Sequence, residues 1–119
     1  MLYLLGQKAK KANNFGLALS FENCLLTHSS FYHLKIPKTL FKNCLLREVN
    51  FIQTNLTSSL FDGSDLSGAI FSESILEKVD FRHAENYAID PENNTIKKAR
   101  FSIYGALALL DKYEIEIEK

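Results

Sequence analysis

Residues 41–61 read FKNCLLREVNFIQTNLTSSLF. Within them Phe41, Leu46, Phe51, Leu56 and Phe61 return at every fifth position, and the residue two places before each one is compact: Thr39, Cys44, Val49, Thr54 and Ser59. An amphipathic helix would place apolar residues at i, i+3, i+4 and i+7, and a half-buried strand would alternate strictly. A period of five satisfies neither rule, so this stretch belongs to a repeat architecture, in which each unit buries its apolar face only against its neighbours.

Outward from this stretch the register holds from Phe21 through Leu26, Phe31 and Ile36, and onward to Leu66, Phe71, Leu76 and Phe81. Of the compact positions, only Leu19 and Leu34 are bulky. The segment Ser64-Asp-Leu-Ser-Gly-Ala-Ile-Phe71 closely resembles the unit of the pentapeptide-repeat family, roughly Ala-Asp-Leu-x-x. The resemblance covers Leu19 to the C-terminus. It implies an all-β fold, a right-handed quadrilateral β-helix of about three coils, with four pentads to a square coil and the centre and compact residues pointing inward. A small residue beside each large one lets four walls converge without overpacking. The left-handed solenoid of hexapeptide repeats needs a period of six, which cannot stay in register over this length.

A coil of about 20 residues makes a second prediction, because residues one coil apart must stack at the strand spacing of about 4.8 Å. Phe21, Phe41, Phe61 and Phe81 then form one ladder and Phe31, Phe51 and Phe71 the opposite one. Leu26, Leu46 and Leu66 line a third wall, with Ile36, Leu56 and Leu76 on the fourth.

Three segments follow: residues 1–18 as an N-terminal cap or remnant, 19–85 as the β-helix, and 86–119 as a C-terminal cap of loop, helix and strand. Asn86 breaks the centre position, Asp90-Pro91 with Asn93-Asn94 reads as a turn cluster, and Ala99-Arg-Phe101 restores the pattern. Phe101 is expected to extend the first ladder. Ser102 can cap a helix over Ile103 to Lys112 whose Ile103, Leu107 and Leu110 cover the core. Tyr113 to Lys119 alternates as a strand would, with Tyr113, Ile115 and Ile117 on one side and Glu114, Glu116 and Glu118 on the other. This C-terminal region resembles the cap of a subgroup containing the microcin-immunity and quinolone-resistance proteins. There the cap often carries a homodimer interface, which implies Leu107, Leu109, Leu110, Tyr113, Ile115 and Ile117 as cap or dimer residues. Relatives usually carry more coils, so the chain looks like a short or N-terminally truncated member.

The chain has 119 residues, with 14 basic and 14 acidic side chains, so no net field draws it to nucleic acid or to an anionic membrane. The early apolar run from Met1 to Leu5 is too short for a span, and the lysines that follow it are in the wrong order for a signal peptide. The expected compartment is the cytoplasm. Cys24 and Cys44, one coil apart, fall in the compact slot and read as buried structural thiols. His28, His33 and His83 fall at outward corners and do not converge on a metal or a base. No phosphate-cradling loop, nucleophile elbow or paired-carboxylate cleft is present, so the reading is non-enzymatic, with no cofactor, no metal and no small-molecule substrate.

The position before each centre points outward, yet Leu25, Leu40, Leu45 and Leu60 occupy it. Clustered on two neighbouring walls, these leucines form the candidate interaction surface. The first functional reading is a protein-interaction or scaffolding module, its partner an unidentified protein, with homodimerisation through the cap helix or the exposed N-terminal coil. An alternative is a DNA-mimicking topoisomerase protector, as the subgroup resemblance implies. Against it, seven acids meet six bases over residues 19–84, and the rod is short. A third reading is an enzyme whose site exists only at a dimer interface.

Overall fold

The computed structural model describes residues 18–118 and the backbone of Leu5–Gly6 and Ala9–Lys10. Its strands are short: β1 (Leu5–Gly6), β2 (Ala9–Lys10), β3 (Leu19–Glu22), β4 (Cys24–Leu25), β5 (Thr39–Lys42) and β6 (Leu60–Asp62). β3, β5 and β6 pair in parallel at a register of 20 residues: Phe21 with Phe41 and Phe41 with Phe61. The same interval recurs in isolated bridges on the other walls, such as Ser30 with Asn50, Lys35 with Asn55 and Leu45 with Asp65. The chain is therefore a four-walled coil whose pentads form its sides. We number the walls by their centres: first (Phe21, Phe41, Phe61), second (Leu26, Leu46, Leu66), third (Phe31, Phe51, Phe71) and fourth (Ile36, Leu56, Leu76).

A pentad is too short for a long strand, so the backbone must turn at every corner. It does so through left-handed residues at the position two after the centre, including Asn23, His28, His33, Lys38, Asn43, Glu48, Gln53 and Ser58, with glycine at 63 and 68. Positive φ at this place is what a type II turn demands, and several corners close with its hydrogen bond, for example Ser59 N–H to Leu56 O at 2.9 Å. Most of these corners are not glycine, and each costs local backbone strain. The inter-coil ladder offsets that strain: Leu46 N–H donates to Asp65 O at 2.8 Å and Asp65 N–H to Cys44 O at 3.0 Å, and the pattern repeats on each wall.

The interior is a column of rings. Phe41 lies 4.9 Å from Phe61 with planes 3° apart, and the stack continues through Phe81 to Phe101. Phe31, Phe51 and Phe71 stack likewise, and the two columns meet edge to face, as Phe31 and Phe41 do at 5.6 Å and 87°. Both arrangements suit the aromatic quadrupole. Phe41, Leu46, Phe51, Leu56, Leu66 and Leu76 are fully buried.

The compact slot does more than save volume. Ser64 Oγ donates to Phe41 O at 2.9 Å and accepts from Cys44 N–H at 3.1 Å, while Thr54 Oγ1 donates to Phe31 O at 2.8 Å. Cys44 Sγ donates to Phe21 O at 3.2 Å, so the thiol takes the same role as the hydroxyls. Centre carbonyls buried at the walls thus gain partners from the next coil, and removing one partner would leave a buried acceptor unsatisfied. Burial pushes Cys44 up to about 11 and raises Cys24, so both side chains remain thiols at neutral pH. Leu34 is too large for the slot and is 42% exposed.

The cap departs from expectation in three respects. Helix α1 spans Ile103–Ala108 rather than reaching Lys112, and a 3-10 turn follows over Asp111–Tyr113. Ser102 caps it as expected, its Oγ accepting from Gly105 N–H at 3.1 Å. Ile103 and Leu110 face solvent instead of the core, and Leu109 is the leucine packed against it. The interior end is instead covered by Tyr87, which turns inward after Asn86 and lies 5.2 Å from Phe81 and 5.9 Å from Phe101. The hydroxyl of Tyr87 occupies the space where a Cβ of residue 105 would sit, so only glycine fits there. No strand forms over residues 114–118, where an alternating pattern predicted one, and all five residues are exposed; Lys119 lies outside the described residues. The expected cap at residues 1–18 also lies largely outside them; β1 and β2 pair antiparallel with β4 and β3 along the first coil.

Replacing Phe41 by Ala should cost about 3–5 kcal/mol, because its own column loses a ring, the other column loses an edge-to-face partner, and the site cannot collapse around the gap. Ser64→Ala should cost about 1–3 kcal/mol through the orphaned Phe41 carbonyl. Urea unfolding measures both; a Phe41→Ala protein as stable as its parent would contradict the stacked interior.

Candidate interaction surfaces

Because the coil packs its interior solid, chemistry available to partners lies on the outward rows. Each row is a ladder of residues 20 apart, so one sequence position repeats its character along a wall. Leu25 stacks on Leu45 on the second wall, 49% and 39% exposed. Leu40 stacks on Leu60 on the first wall, both half-buried. The four predicted leucines thus form two ladders, one on each of two neighbouring walls. Lys42, paired with Asp62 across β5 and β6, lies between Leu40 and Leu45 along the chain.

Charge is sorted by wall, which composition conceals. On the second and third walls stand Glu48, Asp65, Glu73, Glu85, Asp90 and Glu92, with Arg47 as the cation among residues described there. The fourth wall carries Lys35, Lys38, Lys78, Lys97 and Lys98 against Glu77. The first wall is mixed.

Asp65 is the most tightly held of these acids. Ser67 Oγ donates to it at 2.6 Å and Ser67 N–H at 3.0 Å, Arg47 Nε from the coil before at 3.0 Å, and Asn86 Nδ2 from the coil after at 3.2 Å. The Ser67 hydroxyl is the largest cause, followed by the Ser67 amide, Arg47 and Asn86, and together they hold the Asp65 carboxyl well below the usual range. On the third wall Lys112 Nζ lies 2.8 Å from both Asp90 Oδ1 and Glu92 Oε2, and Tyr113 donates its hydroxyl to Glu92. The lysine depresses both carboxyls and is itself raised. These contacts moor the 3-10 turn to the coil.

Beyond the moorings the cap is apolar and open. Of the predicted cap residues, Leu109 packs inward, Leu107 is half-buried, and Leu110, Tyr113, Ile115 and Ile117 are exposed, joined by Ile103 and Tyr104, which sequence reasoning did not place outward. His28, His33 and His83 are all exposed, and His28 Nε2 lies 3.2 Å from Glu48 Oε2, one coil away. Among the described residues no group of three metal-ligating side chains gathers, and no helix is long and apolar enough to cross a membrane.

The depressed Asp65 carboxyl stabilises the folded state fully above the unfolded aspartate pKa near about 4, and that contribution is lost as pH falls through this range. The thermal midpoint should therefore fall on acidification, and Asp65→Asn should flatten the dependence. An unchanged pH profile in the variant would show that the four-donor arrangement does not form.

The family model described as "Pentapeptide repeat region" matches residues 18–88, more than half of the chain. No curated protein matches it. Among solved structures, a pentapeptide repeat protein from the Arabidopsis thaliana thylakoid lumen is 20% identical, with 67% of this chain and 56% of that one covered and a TM-score of 0.40. A trypsin-treated variant of QnrB1, a plasmid-mediated fluoroquinolone resistance protein, is 17% identical, with 84% and 65% covered and a TM-score of 0.32. A pentapeptide repeat protein from the cyanobacterium Cyanothece 51142 is 13% identical, with 76% and 65% covered and a TM-score of 0.27. The chain spans less than two thirds of the length of each of these three. With its five-residue period, its 20-residue register and this match, the chain belongs to the pentapeptide-repeat family.

Proposed function

We propose that this protein is a non-catalytic interaction or scaffolding module of the cytoplasm, a right-handed β-helix of about three full coils plus cap that docks a protein partner and self-associates as a homodimer. The observation that carries the reading is the placement of large apolar side chains on rigid outward surfaces: the Leu25–Leu45 ladder, and the exposed Leu110, Tyr113, Ile115 and Ile117 of the cap. Apolar groups gathered on a wall that cannot rearrange lose little entropy when covered. The filled interior favours surface recognition over turnover.

A second reading has one observation in its favour. The six acids gathered on two adjacent walls could stand in for duplex phosphates, which is the property a DNA-mimicking protector of topoisomerase would need. Lys112 neutralises part of that surface at Asp90 and Glu92, and this places the reading second.

Light scattering over a range of protein concentrations should give the mass of a dimer, and Leu110→Asp with Ile117→Asp, both at exposed positions, should give a monomer that remains folded by circular dichroism. A parent chain that stays monomeric throughout would overturn self-association. Full protection of gyrase supercoiling from a fluoroquinolone at stoichiometric protein would reverse the order of the two readings.

A further inference from the structure

Residues one coil apart lie side by side at the strand spacing of about 4.8 Å, and charges that meet in this way are mostly matched by sign. Glu22 stacks on Lys42, Lys42 on Asp62 and Asp80 on Arg100. The same register sets Asp62 beside Arg82 and Glu77 beside Lys97. Asp65 beside Glu85 breaks the rule, but Asp65 already accepts from Ser67, Arg47 and Asn86. Lys78 beside Lys98 breaks it without such compensation. Both are exposed corner residues at φ +61°, and neither takes part in an ion pair among the described residues. Like charges directly opposite each other on neighbouring strands are destabilising, so this pair carries a cost that a bound anion would remove.

The two lysines stand at a concavity. A groove of about 420 Å³ between the fourth and first walls is lined by Ser58, Leu60, Lys78, Asp80, Lys98 and Arg100. Three of the six are cations, Ser58 adds a hydroxyl, and Leu60 alone is apolar, so the lining suits an anion rather than a greasy chain. The acid in the groove is already engaged: Arg82 donates Nε to Asp80 Oδ1 at 3.1 Å and Nη2 to Oδ2 at 3.0 Å. Ammonium groups on adjacent rungs can each donate to a different oxygen of one tetrahedral anion, and a guanidinium beside them adds a planar fork of donors. A dianion cancels the repulsion between the lysines more completely than a monoanion does. The groove has room beyond one phosphate, and Leu60 offers that space an apolar contact.

We infer that the groove at the corner of the fourth and first walls binds a phosphate monoester, its phosphate held between Lys78 and Lys98 with Arg100 and Ser58 beside it, and its organic part over Leu60. The site adds a ligand to a protein read above as a surface for other proteins, and it does not depend on self-association.

Inorganic phosphate, titrated into the full chain at constant ionic strength with chloride as the balancing anion, tests this through amide chemical shifts. Ser58, Lys78, Lys98 and Arg100 should shift together and saturate. Lys78→Gln with Lys98→Gln should weaken the binding about tenfold or more, since two charge-assisted donors are lost. That variant should melt no lower than the parent in the absence of phosphate, because it relieves a like-charge pair. Lys35→Gln with Lys97→Gln removes the same charge from the fourth wall outside the groove and should leave the affinity within about twofold, since screened charges at that range contribute little. Shifts that never saturate, or an equal loss in the two variants, overturn the site and leave only a diffuse basic field. Flotation with phosphatidylcholine vesicles containing phosphatidic acid identifies the source of the phosphate. Capture of the parent but not of the Lys78→Gln, Lys98→Gln variant assigns it to a lipid headgroup, and saturable phosphate binding without capture assigns it to a soluble ester.

Discussion

The structure depends on one constraint: each residue must sit directly above the residue 20 places earlier, at hydrogen-bonding distance. Backbone ladders impose it, as in Leu46 N–H to Asp65 O at 2.8 Å, and the interior enforces it, because Phe rings 4.9–5.4 Å apart cannot stack if the coil lengthens by a residue. One insertion would carry every later side chain out of its column. The strained corners follow from the same demand, since four sides of five residues close only if the chain reverses sharply at each junction.

A polar system lies inside that constraint. The slot two before each centre is filled by Ser, Thr or Cys at 24, 29, 39, 44, 54, 59, 64 and 74, and the hydroxyl or thiol often reaches the centre carbonyl of the preceding coil. Val49, Ala69 and Val79 show that volume alone suffices on some walls. Where the cap begins, Asn94 takes the slot: its Nδ2 donates to Phe71 O at 3.1 Å and its Oδ1 accepts from Ser74 N–H at 3.0 Å. The loop that leaves the square coil is thereby tied to it by the same rung.

The exterior follows the interior. With the core closed, every outward row repeats one character along a rigid face, and a chain of zero formal charge becomes basic on one wall and acidic on two others. Long-range attraction to a polyelectrolyte depends on the total, whereas contact at close range depends on the face presented. The useful electrostatic unit of this protein is therefore the wall.

The sequence by itself determined the period, the inward residues, the four ladders and the extension to Phe101, because stacking of identical positions is a linear rule that a string of residues can state. It also placed the histidines at the corners and both cysteines inside. It did not determine the ends. Ile103 and Leu110 have helical spacing suited to a buried face, and Tyr113 to Glu118 has the alternation of a strand, yet the first pair is exposed and the second forms no sheet. Tyr87 and Leu109 are the cap side chains that pack against the end of the core, in the place that helical spacing assigned to the first pair. Which apolar residues of a cap face inward is settled by what else competes for the same few square ångströms, and only the tertiary structure decides that competition.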